Sequence, residues 1–371
     1  MLRLLRIEDF RCFQAFELQQ LGRLNLLVGI NNSGKTSILE AVQLLNAQSN
    51  LESLREVMIG RGEYILSDDR DWKWDRGLDI RHLFYGHEID VGSRFSITAG
   101  NLKNEEKIVV SVEQTDWTDK QDSQFRTFRR RDFEDLQQTS LTIEWSGQES
   151  EKIELPLSSA NGLPFKYFDH VRKDSKNSGS RTQFVTSSSL TKKNMIELFD
   201  RVVLTPEENL VTEALQTIEP SIERIASVGS ETYQYTESRS GFVVRLANDD
   251  RRRIPIGSMG DGIWRILGLT LAIVNARNGV LLVDEIDTGL HFSAMSNMWK
   301  LIWETAKRLN VQVFATTHSS DCWKSLAEIA STENPSEEGI TIHRIEKGKP
   351  SSIVFTERQV VIAAEQGIEV R

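Results

Sequence analysis

At 371 residues the chain can bury one large core or two smaller ones, and 39% hydrophobic with 27% charged residues is the make-up of an ordinary globular protein. A formal net charge of −9 argues against holding nucleic acid through the overall field and leaves only local basic patches for that purpose. No apolar run approaches the ~20 residues of a bilayer span, no signal-peptide pattern opens the chain, and Cys12 and Cys322 are too few for a disulfide framework or a zinc cluster, so a cytoplasmic location is expected.

The opening MLRLLRIEDF alternates as a strand does, and residues 1–20 read as two short strands around Phe10-Arg11-Cys12-Phe13. Leu24, Leu26, Leu27 and Val28 then form the apolar run of a buried strand. It leads directly into GINNSGKT at residues 29–36, which fits G-x-x-x-x-G-K-[ST] through Gly29, Gly34, Lys35 and Thr36. The glycines let the backbone turn tightly and aim its N–H groups at phosphate oxygens. Asn31, Asn32, Ser33, Gly34, Lys35, Thr36 and Ser37 are therefore the expected nucleotide-binding segment. Lys35 adds a charge toward the β- and γ-phosphates, and Thr36 offers a hydroxyl to Mg²⁺. Ile38, Leu39, Val42 and Leu45 recur at helical spacing, so the loop ends on a helix N-terminus facing the anion, and the helix fades near Ser49.

From about 50 to 100 the chain is polar and aromatic, with Trp72 and Trp74 in a charged stretch and His82 and His87 beyond. Residues 95–155 alternate as antiparallel strands do, through Ile108, Val109, Val110 and Val112, then Leu141, Ile143 and Trp145, then Ile153 and Leu155. Between them lie Arg126, Arg129, Arg130 and Arg131, interleaved with Phe125, Phe128 and Phe133. This stretch reads as a long hairpin loop, either a solvated face or a DNA contact. Residues 171–193 are rich in Ser, Lys, Thr and Gly and predict a loop. Met195, Leu198, Phe199 and Val202 share a helical face. Val211, Leu215, Ile218, Ile222 and Ile225 continue at helical spacing, with a break or kink expected at Pro220. Residues 233–256 return to strand-like alternation and carry a second basic patch, Arg251, Arg252 and Arg253, that reads as a solvated face or a DNA contact and fits a dimer surface as well. From 257 the order is helix, strand, helix, strand, as in an α/β sheet, and no repeat or sustained heptad appears.

Gly279 to Asp287 reads GVLLVDEID, a buried strand that delivers two carboxylates at the edge where open α/β sheets bind ligands. Asp284 is placed to hold Mg²⁺, and Glu285 to orient or deprotonate an attacking water. Phe292, Met295, Trp299, Ile302, Ala306 and Leu309 stripe one helix. Val311 to Ala315 then form a strand ending in Thr316-Thr317-His318-Ser319, where His318 could donate to a γ-phosphate. Upstream, Gly257-Ser258-Met259-Gly260-Asp261-Gly262 precedes a helix carrying Ile263, Ile266, Leu267 and Ile273. Small residues at a helix start make a second anion-binding shape. With one phosphate loop already present, Ser258, Gly260, Asp261 and Gly262 are best explained by a neighbour's nucleotide. Two strands, Ile340 to Ile345 and Ile353 to Thr356, and a final helix follow.

These elements in this order resemble the ATP-binding-cassette (ABC) ATPases of the SMC and RecF type, and most of all the overcoming-lysogenization-defect (OLD) family of bacterial ATPases. The likeness rests on Ile7-Glu8-Asp9-Phe10-Arg11-Cys12-Phe13, GINNSGKT, SMGDG, LLVDEID with Thr288-Gly289-Leu290-His291, ATTHS, and the closing Gly367-Ile368-Glu369-Val370-Arg371. It covers roughly the first 50 and last 120 residues, and only loosely the FVTSS stretch and the helices after it. The resemblance implies an α/β fold, an ABC-type P-loop ATPase head with a mixed central sheet, an antiparallel β lobe and an inserted helical region. One composite ATPase domain would then comprise residues 1–170, 171–232 and 233–371.

Two such subunits would form a homodimer around two ATP molecules, with Ser258 and Gly260 of one reaching the γ-phosphate held by Lys35 of the other. Asp287 and its turn would lie across the dimer contact, Arg11 would brace the phosphates, and His318 would be the switch histidine. Met259 and Asp261 depart from the transporter-type L-S-G-G-Q, and Gln114, Gln121 and Gln124 leave the Q-loop unassigned. Many OLD proteins continue into a Toprim nuclease. The 53 residues after His318 are too few for one, so DNA cleavage would need a partner chain. The expected function is slow, Mg²⁺-dependent ATP hydrolysis by a dimer that switches DNA maintenance or anti-phage defence through a separate effector or nuclease. The other readings are a transporter's nucleotide-binding subunit, a chromosome-organising head, and an ATP-binding scaffold with little turnover.

Overall fold

The strand of the phosphate loop is buried on both faces, and the architecture follows from that. In the computed structural model the described residues are 1–48, 50–65, 77–100, 104–115, 136–147, 150–158, 162–165, 167–168, 181–228, 241–247, 249–332 and 338–371. Strands β1 (Leu4–Phe10) and β2 (Phe13–Leu18) form a hairpin, and β3 (Leu24–Val28) runs into the phosphate loop. Helices Lys35–Ala47 and Leu51–Gly60 follow, the second capped by the Asn50 side chain on the Glu52 N–H. Short strands β4 (Tyr64–Ile65) and β5 (Gly77–Asp79) precede four longer ones: β6 (Arg94–Gly100), β7 (Glu105–Gln114), β8 (Leu136–Ser146) and β9 (Ser150–Ser158). Strand β10 (Gly162–Pro164) joins β5 and β4 in a small sheet.

Strands β2-β1-β6-β7-β8-β9 make one fully antiparallel sheet, the expected β lobe. Strand β11 (Thr182–Val185), helices Lys192–Asp200 and Glu208–Gln216, and strands β12 (Ile222–Ser227), β13 (Phe242–Leu246) and β14 (Asp249–Pro255) come next. The remaining elements are helix Asp261–Asn275, β15 (Val280–Val283), helix Phe292–Leu309, β16 (Gln312–Thr317), helix Ser320–Thr332, β17 (Ile340–Arg344), β18 (Ile353–Thr356) and helix Glu357–Glu365.

The central sheet has the order β11-β15-β16-β3-β17-β18, parallel throughout except for the β17–β18 pair at one edge. Every residue of β3, β15 and β16 is buried, as expected of parallel strands covered on both faces. Alternation divides their side chains between two cores. Leu24, Leu26, Val28, Leu281, Val283, Val313 and Ala315 join the helices of the second half. Leu27, Leu282 and Phe314 face the opposite way, toward helix Lys35–Ala47 and the antiparallel lobe. The mixed central sheet is thus sandwiched between a helical layer and the β lobe.

Three expectations are corrected. The stripe from Val211 to Ile225 is helical only to Gln216; beyond Pro220 it is strand β12. A bulge between Ile222 and Arg224 shifts the alternation by one, so Ile222 and Ile225, three apart, are both buried. That imitates helical spacing. Strand β11 lies inside the span read as the helical insertion, yet it is an edge strand of the central sheet. Helix Ser320–Thr332 was not anticipated. Of the loop predicted over 171–193, residues 171–180 lie outside the described residues, and so do Trp72, Trp74, Gln121, Gln124 and the Arg126–Arg131 patch. Gln114 ends β7, and Arg252 and Arg253 lie on β14.

Candidate functional site

Strand order gathers the site. Strand β16 lies between β3 and β15, so the loops leaving the C-terminal ends of these three neighbours must meet. They bound a cleft of about 430 Å³ lined by Arg11, Asn31, Asn32, Ser33, Gly34, Lys35, Thr36, Ser37, Asp284, Glu285 and His318, together with Cys12, Arg61, Glu63 and His87.

The phosphate loop has the tight turn that its glycines permit. Gly34 has φ +98°, and a Cβ there would approach Phe13 Cζ to 2.3 Å, so only glycine fits against the β1–β2 hairpin. Asn31 and Asn32 are exposed at the loop tip, while Ser33, Lys35 and Ser37 are buried. Lys35 Nζ donates to Gly29 O at 3.0 Å and Ile30 O at 2.8 Å, bonding to its own loop's carbonyls. Burial pushes its ammonium down to about 8, against the opposing pull of Asp284 and Glu285.

Across the cleft, Thr36 Oγ1 donates toward Asp284, 3.2 Å from each carboxylate oxygen, and Thr316 Oγ1 donates to Asp284 Oδ1 at 2.7 Å. Thr316 also accepts the Glu285 N–H at 2.8 Å. Glu285 sits at φ +47°, a left-handed conformation unusual for a glutamate. Arg265 supports that turn: its guanidinium donates to the carbonyls of Asp284 (3.0 Å), Glu285 (2.8 Å) and Thr186 (2.7 Å). Burial pushes this arginine down to about 10, while the charges of Asp287, Asp284 and Glu285 pull it up. Asp287 accepts from Thr317 Oγ1 at 2.6 Å.

His318 closes the group. Its Nδ1 lies 3.1 Å from Gly29 O, and because a carbonyl only accepts, Nδ1 carries the hydrogen. Its Nε2 then faces Glu285 Oε1 at 3.7 Å. A histidine from β16, a carboxylate from β15 and the phosphate loop from β3 are thus in mutual reach.

Mg²⁺ is a hard cation that takes oxygen donors and one or two carboxylates beside substrate phosphates. The convergence of Thr36 Oγ1 and the Asp284 carboxylate next to Lys35 fits that donor set. Among the described residues no cluster of three or more His, Cys, Asp or Glu suggests an all-protein metal cage.

Arg11 departs from expectation. It lines the cleft, but its guanidinium is spent on carboxylates rather than left open as a phosphate brace. Nε lies 2.7 Å from Glu40 Oε2, Nη1 and Nη2 bond Glu63, and Nη1 also donates to His82 O at 3.2 Å. Arg61 binds the other oxygen of Glu40. Ser258, Gly260 and Asp261 are exposed and, with Gly262, stand outside this chain's own cleft. They form the end of a short 3-10 turn, Ile256–Met259, and the start of helix Asp261–Asn275, with Gly260 at φ +97°. Gly262 and Gly289 pack closely, so this helix start and the turn after Asp287 share one surface.

Reading the sequence missed Thr316 as the orienting partner of Asp284, Arg265 as the support of the acidic turn, and Arg61, Glu63 and His87 as cleft residues. Arg265 left a signal, since it is the only cation in the apolar run DGIWRILGLTLAIVN.

Residues 1–322 match the family model described as AAA ATPase domain. A Helicobacter pylori protein described as an ATP/GTP phosphatase is 23% identical over 344 residues, 89% of this chain and 88% of its own length. Among solved structures, the SMC head domain from Thermotoga maritima has a TM-score of 0.41 at 11% identity, covering 96% of this chain and 98% of its own. The Pyrococcus furiosus Smc head bound to the C-terminal domain of ScpA has a TM-score of 0.45 at 11% identity, covering 99% of each chain. With nearly nine-tenths of its length in the match and the phosphate loop, acidic strand and histidine on neighbouring strands, the chain belongs to the AAA ATPase domain family and is an ATPase.

Proposed function

We propose that the protein is an ABC-type, Mg²⁺-dependent ATP switch in which two copies close around two ATP molecules. The observation that carries it is the single cleft holding Lys35, Thr36, Asp284, Glu285 and His318. In the reaction, a water oxygen attacks the γ-phosphorus and the bond to the β–γ bridging oxygen breaks, giving ADP and phosphate. Glu285 accepts the water's proton, its turn held by Arg265 and Thr316 so that the carboxylate faces the cleft. Lys35 exchanges its loop carbonyls for β- and γ-phosphate oxygens and meets the charge that develops on them. His318 contacts the γ-phosphate from the β16 side. Magnesium, when bound, would neutralise phosphate charge, and Thr36 and Asp284 are the groups that would hold it.

The second copy enters because Ser258, Gly260, Asp261 and Gly262 are an anion-binding helix start with no nucleotide of their own chain to serve. Asp287, on the surface they share, would meet the partner. The OLD-like biological reading, a cytoplasmic switch in DNA maintenance or phage defence that drives a separate effector or nuclease, rests on the sequence resemblance. The curated phosphatase relative supports hydrolysis of a nucleoside triphosphate. No helix among the described residues is long and apolar enough to cross a membrane.

Glu285→Gln tests the reading. It should bind ATP, lose at least ~100-fold in phosphate release, and run as an ATP-dependent dimer in light scattering. Hydrolysis by that variant at the wild-type rate would remove Glu285 as the base, and phosphate release absent from the wild type too would leave an ATP-binding scaffold.

A further inference from the structure

The imidazole of His318 meets the phosphate loop, but its main-chain carbonyl is held by a residue 53 positions away: Arg371 Nη1 donates to His318 O at 2.7 Å. Arg371 belongs to residues 366–371, which leave helix Glu357–Glu365 through left-handed Gly367, where the Ile368 N–H returns to Ala363 O. This segment is anchored twice before it reaches the site. Val370 is fully buried in the same apolar cluster as Trp299, Cys322 and Trp323. The Glu369 carboxylate accepts from Trp323 Nε1 at 3.0 Å, from Ser320 Oγ at 3.3 Å and from the Arg371 N–H at 3.1 Å, and lies 3.7 Å from Arg371 Nε.

The turn that bears His318 is therefore clamped from both sides. On one side Nδ1–H meets Gly29 O. On the other the carbonyl is held by the Arg371 guanidinium, whose own main-chain N–H is tied to the Glu369 carboxylate. Between them the Ser319 N–H donates to Thr317 Oγ1 at 3.0 Å, so little freedom is left in the peptide joining β16 to the following helix. Pinning a carbonyl sets the rotation of its peptide plane, and with it the direction in which Cα presents the imidazole.

We propose that residues 366–371 form a strap that aims the His318 loop, with Arg371 as a positioning residue for ATP hydrolysis; the assignment rests on His318 as the γ-phosphate contact. The two halves of the strap do different work. Val370 carries the packing, and Glu369 carries the hydrogen bonds to Trp323 and Ser320. Arg371 is about two-fifths exposed, so its bond to the carbonyl adds little stability, whereas small displacements of a group that touches the reacting phosphate are costly in rate.

The test compares the wild-type chain with Arg371→Ala, Arg371→Lys and Val370→Ala, measuring phosphate release, melting temperature and the ring-nitrogen NMR signals of His318, identified with a His318→Gln variant. Arg371→Ala should lower kcat at least ~10-fold with KM for ATP within about 2-fold and the melting temperature within about 2 °C. Arg371→Lys should recover part of the rate, because an ammonium can still donate to the carbonyl. The Nδ1–H signal of wild-type His318 should give way to mixed tautomers in Arg371→Ala. An Arg371→Ala protein with wild-type kcat and an unchanged ring signal overturns the strap. So does a rate loss that only tracks melting temperature, as expected of Val370→Ala. If wild type itself releases no phosphate, the hydrolysis reading fails, and the ring signal still decides whether Arg371 aims His318.

Discussion

Thr36 and Asp284 stand 248 positions apart in the chain, yet the threonine hydroxyl lies 3.2 Å from both carboxylate oxygens. The pairing places a hard-oxygen donor set beside a desolvated lysine at the mouth of three parallel strands. Asp284→Asn keeps the volume and removes the charge. It should lower kcat at least ~100-fold and raise the Mg²⁺ concentration needed for half-maximal rate, read by titrating metal at saturating ATP. Thr36→Ser, which keeps the hydroxyl, should retain most of the activity.

The central strands were legible because parallel strands buried on both faces read as nearly continuous apolar runs, LNLLV before the phosphate loop and VLLV before the acidic pair. The phosphate loop and acidic pair could be located for the same reason, since each closes such a run. Long-range polar partners were not legible. Nothing local links Arg11 to Glu40 and Glu63, or Thr316 to Asp284, because their proximity is set by strand order and helix placement. Strand β12 was misread because a bulge can bury residues three apart just as a helix does.

Burial holds Lys35 at about 8, below the ordinary lysine value of 10.5. A lysine depressed by folding costs stability while charged; that cost is present below pH 8 and is relieved as pH climbs from 8 toward 10.5. The nucleotide-free protein should therefore gain stability across that window relative to Lys35→Met, measured by thermal melts of both. Phosphates favour the ammonium, so above pH 8 ATP binding should take up a proton and weaken by up to ~10-fold per pH unit. Calorimetry in buffers of different ionisation heat should show that uptake in wild type and not in Lys35→Met.

Glu40, on the helix that follows the phosphate loop, sits between two arginines, buried with Arg11 on one oxygen and half-buried Arg61 on the other. Arg11 Nε and Glu40 Oε2 are 2.7 Å apart but miss hydrogen-bond alignment, so charge rather than a directed bond holds that contact. Glu40→Ala leaves Arg11 with only Glu63 and the His82 carbonyl. It should cost about 3 kcal/mol of unfolding free energy in urea titration, with ATP affinity falling as Arg11 and Arg61, which line the cleft, lose their shared anchor. Arg61→Ala, at the more exposed end, should cost less than half as much.

Ser258 and Gly260 are exposed at a helix start and do not line the cleft that holds Lys35, although the helix they open also carries Arg265, which supports Glu285. One helix therefore has a buried task in its own chain and an exposed N-terminal end outside the cleft. If that end serves a partner's triphosphate, a bulky side chain there should spare everything that one subunit does alone. Ser258→Arg should bind ATP with wild-type affinity and melt within about 2 °C of wild type, since an exposed substitution rarely costs more. It should fail to dimerise in the Glu285→Gln background and lose at least ~10-fold in turnover. Mixing Ser258→Arg with Lys35→Met is the sharper measurement. Neither variant alone can assemble an intact shared site, but a mixed dimer would pair one intact phosphate loop with one intact helix end, so part of the activity should return. Wild-type turnover by Ser258→Arg alone would make hydrolysis a property of the single chain, and absence of any recovery, with mixed dimers demonstrated by pull-down, would place the helix end outside a shared site.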